Sequence, residues 1–133
     1  MGTKKIVIDT NNLISALGWE GSSRELVRRV IGRDYELFIS LKQLAELQRV
    51  IAYPKFAFTE QQKNSFLALL SEIATFVDTT LTLKVARDPD DNMLLECAIE
   101  VNADFLISGD EHLRELRQFG NTKILSVNEF LRE

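Results

Sequence analysis

Histidine and cysteine are nearly missing from this chain: His112 and Cys97 are the only ones among 133 residues. A lone cysteine excludes an internal disulfide, which suits a reducing compartment such as the cytosol. A lone imidazole excludes a paired-histidine acid–base system, and His112 is read as a surface residue. Prolines number 2, and no Pro/Gly-rich linker, repeat or low-complexity tract interrupts the chain. One domain spanning 1–133 is therefore expected. Long apolar runs are absent as well, which excludes a bilayer-spanning helix. The five residues Met1–Lys5 before the apolar run are expected to be too few for a secretory signal. Net positive charge is also lacking. At a formal charge of −4, a simple basic nucleic-acid-binding module is excluded, because such modules draw their affinity from phosphate neutralisation. An enzyme whose carboxylates hold divalent cations against phosphates is not.

Apolar residues, by contrast, make up 45% of the chain and are spread along it, enough for a sizeable core. A short β-branched run predicts a strand over 5–9. A helix is expected over 22–30, capped by Ser22 or Ser23 and stopped by Gly32, with Leu26, Val27, Val30 and Ile31 as its apolar stripe. A strand over 36–40 and a helix over 41–51 follow, with Pro54 at the exit. The next helix covers 59–74, where Thr59-Glu60-Gln61-Gln62 offers a cap and Phe66, Leu69, Leu70 and Ile73 form the stripe. Segments 76–78 and 81–85 leave room for a short strand. A helix over 90–101, a strand over 104–108, a helical turn over 111–116, a strand over 123–127 and a final helical turn over 128–132 complete the series. Strands alternating with helices imply an α/β fold built on a mostly parallel sheet. Ligands in such folds bind beyond the carboxyl ends of the strands.

Two of these strands run into carboxylates. Ile6-Val7-Ile8 ends on Asp9, and Phe105-Leu106-Ile107-Ser108-Gly109 leads to Asp110. In a parallel sheet both acids fall on one rim. An aspartate after a strand is ordinarily a turn or cap residue, so Asp9 alone leaves a cap, a phosphate acceptor and a metal ligand open.

The stretch Arg87-Asp88-Pro89-Asp90-Asp91 says more. Asp88 before Pro89 fits an N-cap followed by proline at the first helical position. With Asp91 taken as zero and about 100° per residue, Leu94, Leu95 and Ala98 fall within about 60° of it. Asp91 thus sits on the apolar, sheet-facing line, where an unpartnered carboxylate is costly. The helix dipole favours acids in a first turn, but it does not explain an inward-facing one. Asp91 is read as a ligand, Asp88 and Asp90 as capping and solvent-facing residues, and Glu96 as lying off the stripe. Glu46, at the edge of an apolar arc of Leu41, Leu44, Leu47 and Ile51, is on helical phase alone a solvated surface residue.

Three motifs in order carry a resemblance: VIDTNNLISAL near the start, SLKQLAEL in the middle, and DPDDNMLLECAIEVNADFLISGD after it. Together, from Ile6 to about Phe130, they resemble the PIN-domain ribonucleases, and within them the VapC-like toxins of toxin–antitoxin systems. The resemblance implies a three-layer α/β/α sandwich around a mostly parallel sheet of four to five strands. It implies a metal site of Asp9, Glu46, Asp91 and Asp110 that binds Mg²⁺ or Mn²⁺ and cleaves RNA to leave a 5′-phosphate and a 3′-hydroxyl. Asn11 and Ser108 match supporting residues that hydrogen-bond the site carboxylates or water. A homodimer and a small antitoxin partner are implied in the same way. Hard oxygen ligands suit Mg²⁺, and clustered carboxylates repel one another until a cation joins them.

Other readings are weighed against this one. A haloacid-dehalogenase-like phosphatase needs a second aspartate two residues after the first, and here that position is Asn11. A response-regulator receiver needs a lysine after its last strand, where Ser126-Val127-Asn128 stands instead. A catalytically silent PIN-like binding domain would have no need of all four acids. Arg24, Arg28 and Arg29, with Arg33 beyond them, are read as a solvated helix face, with phosphate contact as the alternative. Trp19 is read as a core or dimer-interface residue, with base stacking as its alternative.

Overall fold

Ile6, Val7 and Ile8 are buried from both sides, as a continuous β-branched run in the middle of a parallel sheet must be. They belong to β1 (Lys4–Ile8) in a computed structural model that describes residues 3–32 and 35–132. From β1 the chain passes through α1 (Thr10–Gly18) and α2 (Ser22–Ile31) to β2 (Tyr35–Ser40). Next come α3 (Leu41–Val50), a 3-10 turn at Pro54–Phe56, α4 (Glu60–Ile73) and β3 (Ala74–Val77). α5 (Pro89–Val101) leads to β4 (Phe105–Ile107) and α6 (Glu111–Leu116). The order closes with β5 (Gln118–Phe119), β6 (Thr122–Leu125) and α7 (Val127–Leu131).

The sheet order is β3-β2-β1-β4-β6-β5, and every pairing is parallel except that of β5 with β6. Alternation along the strands divides the core in two. Ile6, Ile8, Leu37, Ile39 and Ile107 face one side, where Leu13, Leu26, Leu47, Phe66 and Phe130 of five helices cover them. Val7, Phe38 and Leu106 face the other side, against Leu94, Leu95 and Ala98 of α5 and Leu113 of α6. The result is the expected α/β sandwich with helices on both sides.

The order also fixes a switch point. From β1 the chain builds outward through β2 and β3, then returns through α5 to place β4 on the other flank of β1. The crevice beyond the carboxyl ends of β1 and β4 is where such folds hold ligands. Asp9 and the Ser108-Gly109-Asp110 turn stand there.

Several local expectations are corrected. The first strand ends at Ile8, because Asp9 already caps α1, a helix the polar Thr10-Asn11-Asn12 start concealed. Neither Ser22 nor Ser23 caps α2. Gly21 takes the N-cap position without a side-chain bond, and Gly32 is the C-cap. The sheet has six strands rather than four to five, because Gln118–Phe119 adds an antiparallel edge through a turn where Gly120 adopts φ 57°. Arg33 lies outside the described residues.

Residues 81–85 form no strand among the described residues. They run instead as a strap along the outer face of α5, and their backbone donors meet side chains. Thr80 N donates to Glu100 Oε1 at 2.7 Å and Leu83 N to Glu96 Oε2 at 2.9 Å. Val85 N and Ala86 N donate to Asn92 Oδ1 at 3.0 and 2.8 Å, and Asn92 Nδ2 returns a bond to Ala86 O at 2.9 Å. Asn92, Glu96 and Glu100 are spaced one helical turn apart, so one line of the helix replaces a neighbouring strand. Glu96 is consequently buried, and its other oxygen accepts from Lys42 Nζ at 3.0 Å. Removing the amide in Asn92→Ala leaves the strap's Val85 and Ala86 N–H groups without their acceptor. We expect a loss of about 1–3 kcal/mol in urea unfolding, with faster amide exchange confined to 83–86. Unchanged exchange there would show that the strap is held by other means.

Candidate active site

Four segments deliver carboxylates to the switch point. Asp9 follows β1, Glu46 stands in the second turn of α3, Asp91 in the first turn of α5, and Asp110 caps α6. Each element has one end at the carboxyl rim, so the topology gathers residues far apart in sequence. All four line one cleft of about 580 Å³, together with Thr10, Asn11 and Asp90.

Asp9 is the most constrained. Its Oδ1 accepts from Asn12 N at 2.8 Å, which caps α1. Its Oδ2 accepts from Ser108 Oγ at 2.8 Å and Gly109 N at 3.1 Å. Burial raises its pKa above the ordinary value. The Asn12, Ser108 and Gly109 bonds oppose that rise, and the charge of Asp110 adds to it. Ser108 is fully buried, and its hydroxyl also accepts from Asp110 N at 3.0 Å. One hydroxyl thus joins the first and fourth acids. Asp110 Oδ1 accepts from Leu113 N at 3.1 Å.

Glu46 is only 8% exposed despite its polar helical phase. It is turned inward by the Thr10 hydroxyl, which donates to Glu46 Oε1. Burial pushes its carboxyl up and the Thr10 bond opposes this, while the nearby Asp90 raises it further and the charge of Arg49 lowers it. Asp90 is exposed, as expected, and its charge is felt at Glu46. Asp91 stands 7% exposed on the inward line of α5. Burial, then the charges of Asp110, Asp88, Asp90 and Asp9, push it up to about 6.

Asn11 borders the cleft and is exposed. Among the described residues it is Thr10, its neighbour, that bonds a site carboxylate. The helix concealed in the sequence explains the difference. On α1, Thr10 shares a face with Leu13, Ile14 and Leu17, whereas Asn11 turns outward. Gln43 also went unread. Fully buried, it donates Nε2 to Ile8 O at 2.7 Å and closes the end of β1 beside Asp9. His112 is exposed, as expected. Trp19 is 53% exposed and packs edgewise on Phe56, 6.3 Å between ring centroids. Arg24 and Arg28 are paired with Glu20, at 2.8 and 3.2 Å.

As the side chains stand, no three of the described His, Cys, Asp or Glu residues converge closely enough to hold an ion. The donor set nevertheless suits a hard divalent cation. It is all oxygen, it has no imidazole or thiolate, and its members raise one another's pKa in the way a cation would reverse.

Comparison with known proteins adds the context. A family model described as PIN domain matches residues 5–112. The uncharacterized protein MJ1680 of Methanocaldococcus jannaschii is 30% identical over 128 residues, covering 93% of this chain and 81% of its own length. A chain from the crystal structure of VapBC2 from Rickettsia felis, bound to a DNA fragment from their promoter, superposes with a TM-score of 0.64. That match has 17% identity and covers 90% of this chain and 96% of the other.

The crowding has a measurable sign. Folded Asp91 titrates near 6 instead of its ordinary 3.8, so between those values the folded chain binds more protons than the unfolded one. This group's contribution to stability therefore falls as pH rises through that window. In EDTA at pH 7, Asp91→Asn is expected to be more stable than the original chain by ~1–2 kcal/mol, with the gap closing below about pH 4. A variant less stable at pH 7 would contradict the repulsion.

Proposed function

The chain belongs to the PIN-domain family, and on that premise we propose that it is a divalent-metal-dependent endoribonuclease, the toxin of a toxin–antitoxin pair. The observation that carries this reading is that Asp9, Glu46, Asp91 and Asp110 all line one cleft at the switch point. Asp9, Glu46, Asp91 and Asp110 would hold Mg²⁺ or Mn²⁺. Bound there, such an ion supplies positive charge against the scissile phosphate and a more acidic water.

The chain's own residues do the positioning. Ser108 and Gly109 hold Asp9 rigid, so the carboxylate keeps its orientation without substrate. Thr10 holds Glu46 away from solvent. Burial and the charges of the neighbouring acids push Asp91 up to about 6, and a cation among those acids would relieve that repulsion. The phosphatase alternative lacks its general acid, because position 11 is asparagine.

The structural relative was crystallised as VapBC2 on promoter DNA. By analogy, a small antitoxin would cover this chain's cleft, and the chain would pair with itself as a homodimer. Among the described residues no helix is long and apolar enough to cross a membrane.

Single-stranded RNA incubated with the chain and Mg²⁺ or Mn²⁺ is expected to be cut internally, and EDTA should abolish cutting. Ser108→Ala should lower the rate about 10–100-fold, as loss of a ligand's hydrogen-bond partner does, and Asp9→Asn and Asp91→Asn should lower it further. Cleavage that survives EDTA and both aspartate changes would sink the proposal. No cleavage by a folded chain with either metal would favour a silent binding domain. Independently of activity, millimolar Mg²⁺ or Mn²⁺ should raise the Tm of the original chain, because it binds only the folded acids. Asp91→Asn should blunt that rise.

A further inference from the structure

The acids border two clefts rather than one. The first, about 580 Å³, has Arg49, Tyr53, Lys55 and Phe56 on its outer wall. The second, about 570 Å³, has Arg87, His112 and Leu116 on its outer wall. Asp91 and Asp110 line both, so the two clefts meet on the carboxylates.

The cations on these walls differ from the arginine cluster of α2. Arg24 and Arg28 are engaged by Glu20 and Glu25. Arg49, Lys55 and Arg87 are exposed, and among the described residues none of them is in an ion pair. The first wall is also ordered. Arg49 Nη1 donates to Tyr53 Oη at 2.7 Å. Lys55 Nζ lies 5.1 Å from the centre of the Phe56 ring. Phe56 in turn stacks on Phe58, with centroids 5.5 Å apart and planes 12° apart. Two exposed cations outside any ion pair, beside the exposed Tyr53 ring, are a combination that holds a flexible polyanion with flat bases.

Resting on the nuclease reading, we infer that a single-stranded polynucleotide runs across the acids from one cleft into the other. Arg49 and Lys55 hold phosphates on the first side, where the exposed Tyr53 ring offers a surface for a base, and Arg87 holds a phosphate on the second. The scissile bond then lies in mid-strand, gripped on both sides. The acids themselves repel the strand. Apart from an ion that they would hold, the side walls supply the attraction, and in a chain of net charge −4 it is local.

Initial rates on a short single-stranded RNA at several salt concentrations test this, with the full chain and Mn²⁺. Lys55→Gln and Arg87→Gln are each expected to raise KM several-fold with kcat unchanged. Each should also lessen the slope of log(kcat/KM) against log[salt] by about 0.7, the value for one phosphate contact on a single strand. Arg28→Gln, paired elsewhere, should leave both unchanged. If the original chain cleaves and either cleft variant keeps the original KM and slope, the two-sided path is overturned while the nuclease reading stands. If the original chain does not cleave, it is the nuclease reading that fails.

Discussion

The hydrogen bonds from Ser108 and Gly109 to the Asp9 carboxylate set the geometry on which the rest of the rim depends. They continue the pairing of β1 with β4 past the last backbone bond, Asp9 N to Ile107 O at 2.9 Å. The same carboxylate starts α1 through Asn12, and the same serine hydroxyl shapes the turn into α6 through Asp110 N. Two strand ends and two helix starts are thereby referred to one side chain. A carboxylate has about four acceptor positions, and three protein donors leave Asp9 room to face the cleft. Capping and ligation are not competing roles here. The cap gives the carboxylate its fixed direction.

Burial and like charge act on this rim in the opposite sense. Asp9, Glu46 and Asp91 are all pushed above their ordinary range, with burial the largest cause in each. Hydrogen bonds relieve Asp9 and Glu46, whereas Asp91 has four neighbouring acids acting on it. The fold tolerates this because the two apolar layers beneath the rim are continuous. Stability made in the core offsets repulsion concentrated at one end of the sheet, a distribution common where a site is held ready for charge.

Much of this was legible in the sequence, for reasons that can be named. The β-branched run at 6–8 and the apolar run at 105–107 have no other stable home than a buried parallel sheet. Asp91 could be placed because Asp88-Pro89 fixes the helix start and therefore the phase of everything after it. Glu46 could not be placed by phase, since its inward turn depends on Thr10, a residue of another helix. Thr10 itself was hidden because the polar start of α1 masks a stripe of Leu13, Ile14 and Leu17. Reading Asp9 first as an N-cap would have exposed both. The strap over α5 was beyond sequence reasoning, because its backbone bonds are made to side chains and leave no strand periodicity behind.

That strap has a consequence for anyone altering the chain. The line Asn92, Glu96, Glu100 has the composition of an outer helix face, yet Asn92 and Glu96 are buried and all three are occupied. Schemes that recolour a protein's exterior, for solubility or for charge, choose such positions first. Here they would unfasten the segment 80–86, whose end lies beside Asp88 and Asp91. On this helix, hydrophilic character marks attachment, and the tolerant positions must be sought elsewhere.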